Sequence, residues 1–133
     1  MKVIANIEKE PGEKNFACYM NIDSIKTGVL GIGSSAKAAI KDMLSGWNDA
    51  KEDLKEDGQN IPDIEIEYRF DVGSLFSYYD FVNIAGLARE IGVNPSVMRQ
   101  YAMGARKPSA DRKEQIIVGM KSLAAKMQSA VLY

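Results

Sequence analysis

The stretch Asn83–Pro108, NIAGLAREIGVNPSVMRQYAMGARKP, constrains this chain more than any other. Ile84, Leu87, Ala88 and Ile91 recur at helical spacing, Gly92 breaks the run, and Val93 opens the next one. A glycine at the break permits the positive φ of a tight turn. Asn94 is a good N-cap, and Pro95 stands in the first turn, where its missing N–H is no loss. The second helix is expected to bury Met98 and Tyr101 and to stop near Gly104. Small Ala88 four positions before Gly92, with Leu87, Ile91, Val93, Met98 and Tyr101 apolar, fits a helix-turn-helix. The solvent face of the second helix is then Ser96, Val97, Arg99 and Gln100, residue types that reach base edges and phosphates. A plain helical hairpin shares the apolar spacing. The turn chemistry and the basic residues downstream favour DNA.

Charge divides the chain. Residues 1–82 hold nine Lys/Arg against fifteen Asp/Glu, a net of −6, whereas residues 83–133 hold eight against three, a net of +5. A basic half carrying a helix-turn-helix suits a double-stranded, phosphate-rich ligand; the acidic half should stay off the duplex and meet a protein, a basic one by complementarity. Arg106, Lys107 and Arg112 follow the reading helix and are assigned phosphate contacts that position without specifying. Asn94 and the amides at that helix start are assigned a further phosphate. Cys18 is the only cysteine and histidine is absent. Within the chain no disulfide framework forms, and the commonest metal ligand and general base are missing, so neither a metal nor a cofactor is expected. No charged-then-apolar leader follows Met1 and no apolar run is long enough for a bilayer, which reads as cytoplasmic with no membrane partner.

The first half alternates. Val3, Ala5 and Ile7 share one face of a strand over Met1–Glu8, Pro11-Gly12 turns the chain, and Phe16, Cys18, Met20 and Ile22 face one way in a second strand. A third strand is expected over Ile25–Ile32, interrupted by Gly28 and Gly31. A capped helix follows from Ser34-Ser35 to Gly58, with Ala36, Ile40, Met43, Trp47, Ala50 and Leu54 as its apolar stripe. Ile64, Ile66, Tyr68 and Phe70 alternate with Glu65, Glu67, Arg69 and Asp71 in the last strand. The fold class is α+β: a β-β-β-α-β sheet covered by one helix over residues 1–71, then an all-α helix-turn-helix domain over 72–133. Leu75–Val82 reads as an aromatic-rich short helix that packs on the following pair, or stacks bases. Ser109 caps a last helix to about Ala130, whose stripe Ile116, Met120, Leu123, Met127 and Val131 is long enough to close the core and also pair with a second copy.

With both units placed, the chain resembles the HicB-like antitoxins, in which a partial ribonuclease-H-like domain precedes a small DNA-binding domain. The resemblance rests on FACYMNID, TGVLGIGSSAKAAIKDM and EDGQNIPDIEIEYRFD, and on LAREIGVNPSVMRQYAMGARKPS, which looks like Cro/repressor-type proteins. It departs where the family has a proline-glycine-cysteine step after the second strand and this chain has Ile22-Asp23-Ser24-Ile25. The resemblance implies an antitoxin that binds a small basic HicA-like toxin, an mRNA-cleaving protein, and represses its own operon as a homodimer or higher oligomer on double-stranded operator DNA. The alternative is a free-standing repressor whose first domain only dimerises or senses a ligand. Two decoys read as structural. Nuclease chemistry needs several carboxylates converging on one site, whereas Glu65 and Glu67 alternate outward, so no enzyme is expected. Gly31-Ile32-Gly33-Ser34-Ser35-Ala36 matches a dinucleotide fingerprint, but the chain lacks the parallel strands that such a site needs.

Overall fold

Strand alternation in the first half and helical spacing in the second produce an α+β fold, seen in a computed structural model that describes residues 1–133. In chain order the elements are β1 (Lys2–Glu8), β2 (Phe16–Ile22), β3 (Thr27–Gly33), α1 (Ala36–Glu56), β4 (Glu65–Phe70), α2 (Val72–Tyr78), α3 (Ile84–Ile91), α4 (Pro95–Ala102) and α5 (Ala110–Gln128). The sheet order is β3-β2-β1-β4, with β4 parallel to β1 and the other pairs antiparallel. The β1–β4 register sets Val3 beside Ile66, Ala5 beside Tyr68 and Ile7 beside Phe70, so the apolar residues of both strands share the face that α1 covers. Ala5, Cys18, Ile22, Ala36, Ala39 and Met43 have no exposed surface at all.

The third strand departs from its expected form. It runs unbroken from Thr27 to Gly33, and Ile25 belongs to a 3-10 turn at Asp23–Ile25 that feeds it. Gly31 and Gly33 admit the helix instead of bending the strand, while Gly28 lies against Asn21 of β2. A Cβ on Gly31 would collide with the backbone of Ala39 and Met43, and one on Gly33 with Ala38 and Ala39. The dinucleotide-like spacing is therefore accounted for by close packing of α1 on β3. Ser35 caps α1, its Oγ accepting from the Ala38 amide at 3.1 Å. The Ala36 amide donates to Ser77 Oγ of α2 at 3.1 Å, which ties the second half to the same helix start.

Cys18 lies wholly inside this core with its Sγ 3.3 Å from Met43 Sδ, and burial pushes its thiol up to about 11 from 9.0. Thiolate is the reactive form, so a shift of this size lowers reactivity about a hundredfold at neutral pH. A thiol reagent should modify Cys18 only after denaturant unfolds the chain. The sign for stability is also fixed. Above pH 9 the unfolded thiol ionises and the folded one does not, so the contribution of this group falls as pH rises from 9 towards 11.

No linker separates the halves. Asp71 caps α2, its Oδ1 accepting from the Ser74 amide at 2.9 Å, and the buried Ser74 Oγ reaches back to the Ile7 carbonyl at 2.7 Å. Helix α2 serves both cores: Phe76 is buried with Leu87, Ala88, Val93, Met98, Tyr101 and Ile116, while Tyr78 packs on the first core. The helix ends at Tyr78, short of the expected Val82, and Phe81 stands 82% exposed. In α5 only Ile116 is buried. Met120 and Leu123 are half-buried, while Met127 and Val131 are exposed, so the expected stripe closes the second core with its first half alone.

Candidate nucleic-acid interface

Local chemistry sets the angle at which α4 leaves the second core. Asn83 caps α3, its Oδ1 accepting from the Gly86 amide at 2.9 Å. Gly92 ends that helix at φ 80°, a left-handed conformation glycine adopts without strain, and its N–H bonds the Ala88 carbonyl. The Val93 amide bonds the same carbonyl at 2.9 Å, and Ala88 and Val93 are buried, so the turn is pinned from inside. Met98 and Tyr101 then face the core, and Ser96, Arg99 and Gln100 face solvent.

Two assignments on this helix change. Val97 is half-buried and packs on the second core, because its phase lies beside Met98 and Tyr101; it does not belong to the exposed edge. Its place is taken by Met103, which follows Ser96, Arg99 and Gln100 at helical spacing and is 69% exposed. The spacing in the sequence carries that signal up to the expected stop near Gly104; the helix ends at Ala102 and Met103 is its C-cap. A thioether there suits apolar contact with a thymine methyl. The helix start also differs. Asn94 Oδ1 already accepts from the amides of Ser96 at 2.8 Å and Val97 at 3.3 Å, and Met98 donates to the Asn94 carbonyl. Pro95 has no amide, so what the helix start still offers a phosphate is the backbone N–H and the side-chain amide of Asn94 itself.

The basic residues separate into free and engaged. Arg99, Arg106, Arg112 and Lys113 form no ion pair with any carboxylate. Lys107 is different. Its Nζ donates to Glu10 Oε1 at 2.9 Å, and that hydrogen bond, with the charges of Glu10, Asp71 and Glu8, holds its pKa above the ordinary lysine value. The phosphate contact assigned to Lys107 is thus already answered by an acid of the β1–β2 loop. Lys9 of the same loop reaches the Met103 carbonyl at 3.4 Å, so that loop braces the end of α4. Arg106 and Lys113 line a cavity of about 210 Å³ beside this brace, together with Glu8, Asp71 and Tyr101. Arg112 is half-buried at the start of α5.

On the sheet's open face, Glu67 is held by Arg69 at 2.8 Å and Lys2 at 3.7 Å, and the hydrogen bond from Arg69 keeps its carboxyl below the usual range. No three His, Cys, Asp or Glu side chains converge as a metal site. No helix is long and apolar enough to cross a membrane. No family model, curated protein or solved structure matches the chain.

Proposed function

We propose that this chain is a DNA-binding antitoxin and autorepressor that reads operator DNA with α4. The observation that carries the DNA part is the exposed edge Ser96–Arg99–Gln100–Met103, aimed outward by a capped helix beyond a left-handed Gly92 and set in a half of net charge +5. Two subunits place these helices in successive major grooves, about one helical turn apart. Arg99 supplies two donors suited to a guanine edge and Gln100 a donor and an acceptor suited to an adenine edge; Ser96 and Arg106 hold the backbone. The antitoxin part is supported by the HicB-like resemblance and by the net charge of −6 on residues 1–82, which suits a small basic toxin. The protein would work in the cytoplasm, with no cofactor and no chemistry of its own.

A second reading, a free-standing repressor whose sheet unit only self-associates, is favoured by Leu30 and Ile32, 59% and 50% exposed on the free edge strand. Co-expression with the neighbouring reading frame separates the two. The antitoxin reading expects a small basic protein to co-purify in stoichiometric amount and to sharpen a gel-shift on the chain's own upstream DNA. A shift with no co-purifying partner leaves the repressor reading.

A further inference from the structure

Helix α5 has 19 residues, about 28 Å of rise, whereas α3 and α4 beneath it have eight each. Beyond Leu123 it packs on nothing in the chain. Along α5 runs a shallow groove of about 560 Å³, closed on one side by Glu90 and Ile91 of α3. The α5 wall of that groove is one helical stripe: Asp111, Glu114, Gln115, Val118, Ser122 and Lys126. Its charge reverses from end to end. Asp111 and Glu114, with Glu90 beside them, make one end acidic, and Lys126 makes the other basic. None of these four side chains has an ion-pair partner within the chain. Between the ends lies Val118, 55% exposed, with small Ser122 one turn further on, while Gly119 beside them is already covered by Ile91 of α3.

We propose that this groove is the interface between two copies of the chain, with their α5 helices antiparallel about a two-fold axis at Val118–Gly119. In that arrangement Lys126 of each copy meets Asp111 and Glu114 of the other, and the two Val118 side chains meet on the axis. A two-fold interface must be self-complementary, and a stripe acidic at one end and basic at the other satisfies that condition only when antiparallel. A parallel pairing would set Lys126 against Lys126 and Asp111 against Asp111, which repel. The proposal stands apart from the DNA reading. A dimer that ignores DNA removes that reading alone, and a monomer that binds operator DNA removes this proposal and the paired-groove placement while leaving α4 as the reader.

Sedimentation equilibrium of the full chain tests it. The wild type should dimerise. Lys126→Glu should weaken dimerisation about tenfold, since acid then meets acid at both symmetric contacts, and Asp111→Lys should do likewise. The two together should restore it to within about threefold, because the exchanged charges face each other again. Val118→Asp, which sets two carboxylates on the axis, should give a monomer. All three positions are exposed, so far-UV circular dichroism, and melts taken at a dilution where the wild type is monomeric, should stay close to the wild type and separate association from folding. A wild type that is monomeric, a double variant no tighter than the singles, or a dimer that survives Val118→Asp while Leu30→Asp breaks it would overturn the proposal.

Discussion

Gly31→Ala is expected to destabilise the chain by about 3 kcal/mol or more, a large share of the stability of a domain this size. The added methyl lands on the backbone of Ala39 and Met43. Backbone within a helix cannot rotate aside as a side chain can, so α1 must lift from β3 or β3 must bow outward. Either movement opens the core around Met43 and Val29, both buried in the first cluster. The melting temperature should fall by roughly 10 °C. Gly46→Ala is the contrast. Its new methyl would lie 3.2 Å from Val29 Cγ1, a contact a small shift relieves, and alanine gains about 1 kcal/mol in a helix interior. Its melting temperature should stay close to the wild type. A Gly31→Ala protein that melts with the wild type would mean that α1 does not sit against β3 as described.

The second large effect falls on DNA affinity. Arg99→Ala combined with Gln100→Ala should weaken specific binding about a thousandfold, from about 1–3 kcal/mol at each position. Both side chains are exposed, so folding stability should move by no more than about 0.5 kcal/mol. Lys107→Ala should do much less, because that ammonium is paired with Glu10, whereas Arg106→Ala should weaken binding to all sequences alike and flatten its salt dependence. Affinity measured by fluorescence anisotropy on specific and scrambled duplexes distinguishes these outcomes.

Legibility followed the range of the interactions. The hairpin, the capped α1, the Gly92 turn and the buried set Leu87, Ala88, Val93, Met98 and Tyr101 were readable because each is written in residues a few positions apart. The place of β4 beside β1 was not, since alternation fixes which face a strand buries and says nothing about its neighbour. Gly31 was misread as a break because the reason for it lies on α1, across the core. The same limit applies at the candidate site. Lys107 looked free beside Arg106 until Glu10, 97 positions away, was brought to it. Val97 looked exposed because its phase sits at the margin of the buried stripe, and Met103 was passed over where the helix ends. The overhang of α5 was visible as a stripe too long for its domain, but the charge reversal on which the proposed dimer rests lies on a different face of the helix.

The central claim is that the edge Ser96–Arg99–Gln100–Met103 reads DNA. Its most direct test is an anisotropy titration of the duplex lying immediately upstream of the chain's own reading frame, repeated across a range of salt. The account predicts saturable binding tighter than to a scrambled duplex, affinity that falls steeply as salt rises, and loss of the sequence preference when Arg99 and Gln100 are replaced by alanine. Equal affinity for both duplexes, or a preference that persists in the doubly substituted protein, would contradict it.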